Sequence, residues 1–402
     1  MGGSLAPTLV MSAGRGANVL DADGNRYVDL AAGFGALLLG HAHPTVTTAI
    51  ERQARTLVQA LGDVYPSELK IALLERLTAL YPAPAQAILA QSGSDAVSAA
   101  LKTATLFTGK PGVIAFTGAY HGLGYGPLAA CGLRASYREP FAAQLNPHIA
   151  FVDYPADEQA LEPVLDGVRQ RLAQGGVGAI LVEPILGRGG VIVPPAAFLP
   201  ALARLAEGAG ALLIADEIWT GLGRAGTLLC SLPGALPDLI CLGKGLGGGL
   251  PMSAVLGRKE VMASWQREGE VVHTATFSGA PLAAAAALAL LDTLETERLV
   301  ERSARVGAEL RTRLGQRFRE AGVLDANVRG KGLMLGVDLG NRPGAGSALQ
   351  QRLLTLGYIT STGGGRREVL VLTPPLNIAE SLLDLFVERL TSALLELGRG
   401  AP

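Results

Sequence analysis

Cysteine is scarce: three residues in 402, Cys131, Cys230 and Cys241, are odd in number and widely scattered. No disulfide scaffold follows, and without a C-x-x-C pair no zinc site follows either. Charge of one sign is missing as well, since 34 Lys and Arg stand against 35 Asp and Glu for a net charge of −1. That balance leaves no electrostatic footprint for nucleic acid. Long apolar runs are also absent. The longest, Ala280 to Leu291, closes at Asp292 and falls short of the roughly 20 residues that cross a bilayer. Met1 to Ala6 shows neither a signal peptide nor a myristoylation pattern, so the expectation is a cytoplasmic protein without membrane contact. What is plentiful is apolar residue, 49% against 17% charged. A chain of this length and composition can bury a large core, and about 150 residues per domain suggests two or three domains.

Short apolar runs recur through the middle of the chain at Ala87–Ala90, Val113–Phe116, Ile149–Val152, Ala179–Val182, Ala211–Ala215, Leu239–Leu242 and Ala254–Leu256. Their residues are apolar consecutively rather than alternately, and helix-length segments separate most of them. Strands buried on both faces and alternating with helices predict a mostly parallel sheet in an α/β domain. Polar residues just past each run then lie at the carboxyl ends of strands, where open α/β sheets bind ligands. After about residue 292 the pattern changes. Leu299, Val306, Leu310, Leu314 and Phe318 repeat at mostly helical spacing, as do Leu383, Phe386, Val387, Leu390 and Leu394, around strand-like segments at Leu333–Leu339 and Val369–Leu372. The division expected is an arm over 1–45, a large domain over 46–292 and a smaller α+β domain over 293–402.

Three segments at the strand ends carry chemistry. Gly243-Lys244-Gly245-Leu246-Gly247-Gly248-Gly249 places one lysine among glycines; it fits neither a dinucleotide fingerprint nor a P-loop. Lys244 is either a surface turn residue or a desolvated amine suited to Schiff-base formation. In Ala211 to Glu217 a buried run ends in Asp216, whose carboxylate needs a fixed partner: an Arg, a helix N-terminus or a pyridinium nitrogen. Gln91-Ser92-Gly93-Ser94-Asp95-Ala96 opens a helix-favouring stretch, and reads either as an ordinary N-cap or as a phosphate cradle.

With these three, the order of motifs resembles the class III, fold type I pyridoxal-phosphate aminotransferases, which include the acetylornithine, ornithine and 4-aminobutyrate enzymes. Matching segments include Asp21-Ala22-Asp23-Gly24, Gly40-His41-Ala42-His43-Pro44, Tyr120-His121-Gly122, Glu183-Pro184-Ile185, Asp216-Glu217-Ile218, Thr276-Phe277-Ser278-Gly279 and Thr373-Pro374-Pro375-Leu376, spanning nearly the whole chain. The resemblance implies a fold type I large domain with a mostly parallel central sheet and a smaller α+β domain. It makes Lys244 the lysine that holds pyridoxal 5'-phosphate and carries the proton, and Asp216 the partner of the pyridine nitrogen. Gly93 and Ser94 would bind the phosphate, Tyr120 would stack on the ring with His121 beside it, and Ile218 would cover the other face. Glu183 would orient the site. Thr276 would enter from the partner subunit of a homodimer. His41 and His43 fall in a turn of the family, and no metal is expected.

The departures concern substrate. Where many members carry a Glu and an Arg that form a switch for the dicarboxylate substrates, this chain has Arg188 and Val371. Arg188 is therefore expected to take a donor or acceptor carboxylate, against the alternative of a solvent-facing Arg in a glycine loop. Trp219 stands where several members place a Gln, and is expected to narrow the site or face an apolar substrate. Leu123 replaces an Arg of the ornithine enzymes, and Ala225 and Ala280 replace a usual Thr and Asn. The activity implied is transfer of an amino group from a primary amine or ω-amino acid to a keto acid. The alternatives are an aminomutase or racemase on the same fold, and a non-catalytic dimer that keeps the fold.

Overall fold

The computed structural model describes residues 9–266, 271–340 and 342–399. In chain order its strands are β1 (Met11–Arg15), β2 (Asn18–Asp21), β3 (Arg26–Asp29), β4 (Ala85–Ala90), β5 (Gly112–Phe116), β6 (Ile149–Val152), β7 (Val177–Val182), β8 (Leu212–Asp216), β9 (Leu239–Leu242), β10 (Ser253–Arg258), β11 (Asn327–Lys331), β12 (Met334–Asp338), β13 (Tyr358–Ile359), β14 (Ser361–Gly363) and β15 (Val369–Leu372). Strands β4 to β10 form one sheet in the order β4-β10-β9-β8-β7-β5-β6. Only β10 runs against the rest, antiparallel to both β4 and β9. Every residue of β5, β7, β8 and β9 is buried, as consecutive apolar residues in a sheet covered on both faces should be.

Helices supply both covers. The helix Gly93–Thr108 lays Ala96, Val97, Ala99, Ala100 and Ala104 on one face, where small side chains let it approach the sheet closely. Ser92 Oγ accepts from Asp95 N at 3.2 Å to cap its start, and Gly109 at φ +69° ends it in the left-handed region. On the other face Phe116, Tyr154 and Phe198 meet edge to face at centroid distances of 5.2–5.8 Å. Each fully buried Leu, Ile or Phe of these layers contributes about 1.5–3 kcal/mol.

The antiparallel strands β1, β2 and β3 make a separate small sheet, and β13 joins it in parallel beside β3. The N-terminal segment is thus hydrogen-bonded to a strand some 330 positions later in the chain. The third sheet has the order β11-β12-β15-β14, beside the helices Leu299–Glu320, Ala345–Thr355 and Glu380–Arg399. Leu299, Val306, Leu310, Leu314 and Phe318 are buried along one face of the first, the face their spacing predicts.

Candidate active site

The ends of β4, β5, β7, β8 and β9 point to one side of the sheet, and the segments that follow them build one cavity of about 260 Å³. Gly93 and Ser94 from the helix start, Tyr120 and His121 after β5, Glu183 after β7, Arg188 in the next loop, Asp216 with Ile218 and Trp219 at β8, and Lys244 after β9 all line it. Ten sequence-predicted residues therefore meet in one place. Thr276 does not. It is exposed, outside the cavity lining, and its backbone oxygen accepts from Gln59 Nε2 at 2.8 Å.

Asp216, for which the sequence allows an Arg, a helix N-terminus or a pyridinium nitrogen as fixed partner, is met within the protein by a histidine. His121 Nδ1 lies 2.7 Å from Asp216 Oδ2, and Ile218 N donates to Asp216 Oδ1 at 3.1 Å. Both side chains are buried, and His121 Nε2 has no partner among the described residues. His121 thus stands behind Asp216 and holds it. The neighbouring acid, Glu217, turns away and accepts from Ser231 N at 2.9 Å and from Ser231 Oγ and Cys230 N at 2.5 Å. Its role is to anchor the loop after Leu228, so two adjacent acids divide into one for the site and one for the fold.

Glu183 ties two strand-end loops together. Its Oε1 accepts from Tyr120 N at 2.7 Å and its Oε2 from Gly187 N at 3.0 Å. Burial pushes its carboxyl up to about 7; His121 opposes the rise and the Asp216 charge adds to it. Lys244 begins a single 3-10 turn, Lys244–Gly247, with Lys244 itself at φ +39°. A non-glycine residue in that region is strained, and such strain gathers where the surroundings fix a side chain for function. Desolvation lowers its ammonium to about 8, with Asp216 and Glu183 opposing and Arg188 assisting. Its Nζ sits 4.4 Å from the Trp219 ring centroid.

The opposite end of the cavity is shaped for an anion. Gly93 and Ser94 form the first turn of a helix, where backbone N–H groups and the helix dipole favour negative charge. A Cβ at Gly93 would lie 2.7 Å from Ile218 Cδ1, and one at Gly122 would lie 2.8 Å from Ser94 Cβ. Ser94 Oγ accepts from Gly124 N at 3.0 Å, joining the helix start to the loop after β5. Ser92, not Ser94, is the N-cap, so the cap and the anion-facing position coexist in one turn.

Sequence reasoning missed the His121–Asp216 bond and the stacking of Trp219 on Lys244. It also missed the apolar cluster of Ile185, Val191, Trp219, Ala225, Met334, Val369 and Val371. Gly35, at φ +83°, and Gly187 were the available signals: a Cβ at Gly35 would lie 2.8 Å from Trp219 Cδ1, and one at Gly187 would lie 2.9 Å from Trp219 Cζ3. Both glycines make room for the indole.

A lysine of lowered pKa, a braced carboxylate for a ring nitrogen and helix amides for a phosphate match the groups of pyridoxal 5'-phosphate, which places the protein among the enzymes that use this cofactor. When bound, that group supplies an aldehyde for amines and a ring that takes up an electron pair. The family model for class-III aminotransferases matches residues 3–394, and the chain belongs to that family. It is similar to the acetylornithine aminotransferase of Mycobacterium tuberculosis, with 38% identity over 399 residues that cover 98% of this chain and 94% of that protein. The acetylornithine aminotransferase of Methanosarcina acetivorans is 35% identical over 386 residues, covering 96% of this chain and 91% of the relative. A pyridoxal-phosphate-bound amine transaminase from an uncultivated Pseudomonas species superposes with a TM-score of 0.90 at 32% identity, covering 98% of this chain and 97% of that one. The protein is a pyridoxal-phosphate-dependent aminotransferase of fold type I.

Proposed function

We propose that the enzyme moves an amino group from a primary amine or ω-amino acid to a keto acid, with Lys244 and Asp216 as its catalytic residues. The observation that carries this reading is the placement of Lys244, Asp216 and the helix start at Gly93 and Ser94 around one cavity. Lys244 would hold the cofactor covalently and, once released, would move the proton. Asp216, oriented by His121, would accept from the ring nitrogen. Gly93 and Ser94 would receive the phosphate, Tyr120 and Ile218 would flank the ring, and Glu183 fixes the loop that carries Arg188. Arg188 takes a substrate carboxylate. Trp219 forms the apolar wall beside it.

The working unit is a homodimer in which Thr276 reaches the partner's site. Support comes from the exposed apolar residues Val58, Leu61, Val64, Tyr65 and Phe277 close to Thr276 in sequence or through the Gln59 bond, which a partner surface would cover. Residues 46–292 form the cofactor domain and 293–402 the small domain, with 1–45 as an arm; the pairing of β3 with β13 supports joining that arm to the small domain. Among the described residues no helix is long and apolar enough to cross a membrane, and a cytoplasmic enzyme is the reading adopted.

The test is an absorbance spectrum of purified holoenzyme before and after a panel of amines and amino acids is added without acceptor. A visible band that one donor converts to the aminated cofactor, and that Lys244→Ala prevents from turning over, supports the reading and names the donor class. A donor that turns over fully with no acceptor present marks a mutase or racemase instead. Absence of the band after pyridoxal phosphate is supplied refutes the assignment of these residues.

A further inference from the structure

The cavity has few charges, and their positions constrain what can react there. Asp216 and Glu183 are its acids, His121 is bonded to Asp216, and Lys244 and Arg188 are its strong cations. Lys244 is committed to the reacting amine, which leaves Arg188 as the cation for recognition among the described residues that one chain contributes to the lining. Its guanidinium lies 4.8 Å from the Tyr120 ring centroid, its backbone oxygen accepts from Gly364 N at 2.9 Å, and among the described residues no carboxylate pairs with it. An arginine held by an aromatic face and a backbone anchor, with its planar fork unpaired, is ready for one carboxylate.

The wall beyond Lys244 is of the other kind. Trp219 lines the cavity with its ring 4.4 Å from Lys244 Nζ, and behind the indole pack Ile185, Met334, Val369 and Val371, all of them buried. The indole N–H, Trp219 Nε1, is buried and has no partner among the described residues. A second carboxylate placed there would lose its water and gain no cation, which disfavours binding strongly. An apolar group placed there would bury surface at no such cost.

Donor and acceptor take turns in one site, so both must satisfy the same walls. Resting on the transamination reading above, we infer that the amino acceptor is a 2-oxo monocarboxylate with an apolar side chain, its carboxylate on Arg188 and its side chain against Trp219. Dicarboxylic acceptors are disfavoured. The exchange is balanced: the donor carbon loses its amino group and a hydrogen and gains a carbonyl oxygen, the acceptor carbon loses its carbonyl oxygen and gains the amino group and a hydrogen, and the two electrons given up by the donor are taken up by the acceptor, so no external oxidant is consumed.

The acceptor half-reaction tests this without knowledge of the donor. Enzyme loaded with pyridoxamine 5'-phosphate is mixed with pyruvate, 4-methyl-2-oxopentanoate or 2-oxoglutarate, and return of the visible band is followed in a single turnover. The two monocarboxylates are expected to exceed 2-oxoglutarate in specificity constant by about 100-fold, the scale of discrimination when a buried charge is left unpaired. Arg188→Ala should raise the apparent Kd for pyruvate by about 50-fold, with partial recovery in Arg188→Lys, as expected for a lost charge-assisted contact. Equal rates with 2-oxoglutarate, or an Arg188→Ala enzyme that binds pyruvate normally, would overturn the inference while leaving transamination intact. No return of the band with any 2-oxo acid would instead overturn the transamination reading beneath it.

Discussion

His121 and Asp216 form a buried pair, Nδ1 to Oδ2 at 2.7 Å, at the wall of the cavity. One oxygen of Asp216 is thereby occupied by the imidazole and the other accepts from Ile218 N at 3.1 Å. A carboxylate fixed at both oxygens cannot rotate to follow a moving partner, and a ring nitrogen would meet it preoriented.

This geometry predicts graded effects. Asp216→Asn should lower kcat by about 10²–10³-fold, the usual loss when a preorganised charge is removed from a reacting site. His121→Asn should lower it by about 10–100-fold, as for residues that orient a ligand without touching the reacting atoms. Both variants should still bind the cofactor covalently through Lys244. Steady-state kinetics with a parallel spectrum decides the matter: an unchanged kcat in His121→Asn removes the orienting role.

A lysine whose ammonium is lowered to about 8 has an appreciable neutral fraction near pH 7, and the neutral amine is the form that attacks an aldehyde. Covalent capture of pyridoxal phosphate by the apoenzyme should therefore accelerate as pH rises and level off just above pH 8. The same shift acts on stability in the same direction. Between about 8 and the ordinary value of 10.5 the unfolded chain binds the proton more readily than the folded one, so this group's contribution to apoenzyme stability rises with pH across that window. Stopped-flow absorbance over pH 6–10 measures the first effect. A plateau reached only above pH 10 would show that the amine is not desolvated.

Strands were legible where apolar residues run consecutively: Ile149–Val152, at the half-buried edge of the large sheet, Leu239–Leu242 at its buried centre, and Val369–Leu372 in the third sheet have the bounds in the structure that their apolar runs suggest. β1, β2 and β3 were not, since Met11–Arg15 and Arg26–Asp29 are partly exposed and carry no consecutive apolar run. β11 escaped for the same reason, its Asn327 and Lys331 being exposed. Within the site, Lys244 and Asp216 stood out because glycines or a buried run surround them. The bond between His121 and Asp216 spans 95 positions and leaves no local mark. The stacking of Trp219 on Lys244 depends on Gly35 and Gly187, whose need for hydrogen as a side chain becomes evident only when the indole is in place.

Those two glycines lead to the last prediction. A methyl group at Gly187 would lie 2.9 Å from Trp219 Cζ3 and 3.0 Å from Met334 Cε, closer than carbon atoms pack. The indole cannot yield toward its other edge, where Gly35 already meets it, so Gly187→Ala should push the ring toward Lys244. Overpacking of this kind costs about 1–3 kcal/mol in stability. Because Glu183 Oε2 accepts from Gly187 N, the substitution should also disturb the loop that carries Arg188. The expected result is a lowered melting temperature together with a raised KM for the keto acid, whereas Gly208→Ala, on a helix with nothing within 4 Å of its Cβ position, should leave KM unchanged. Thermal denaturation and steady-state kinetics on the two variants check this. If Gly187→Ala melted at a lower temperature but kept its KM, Trp219 and the Arg188 loop would be supporting the fold without shaping the substrate site.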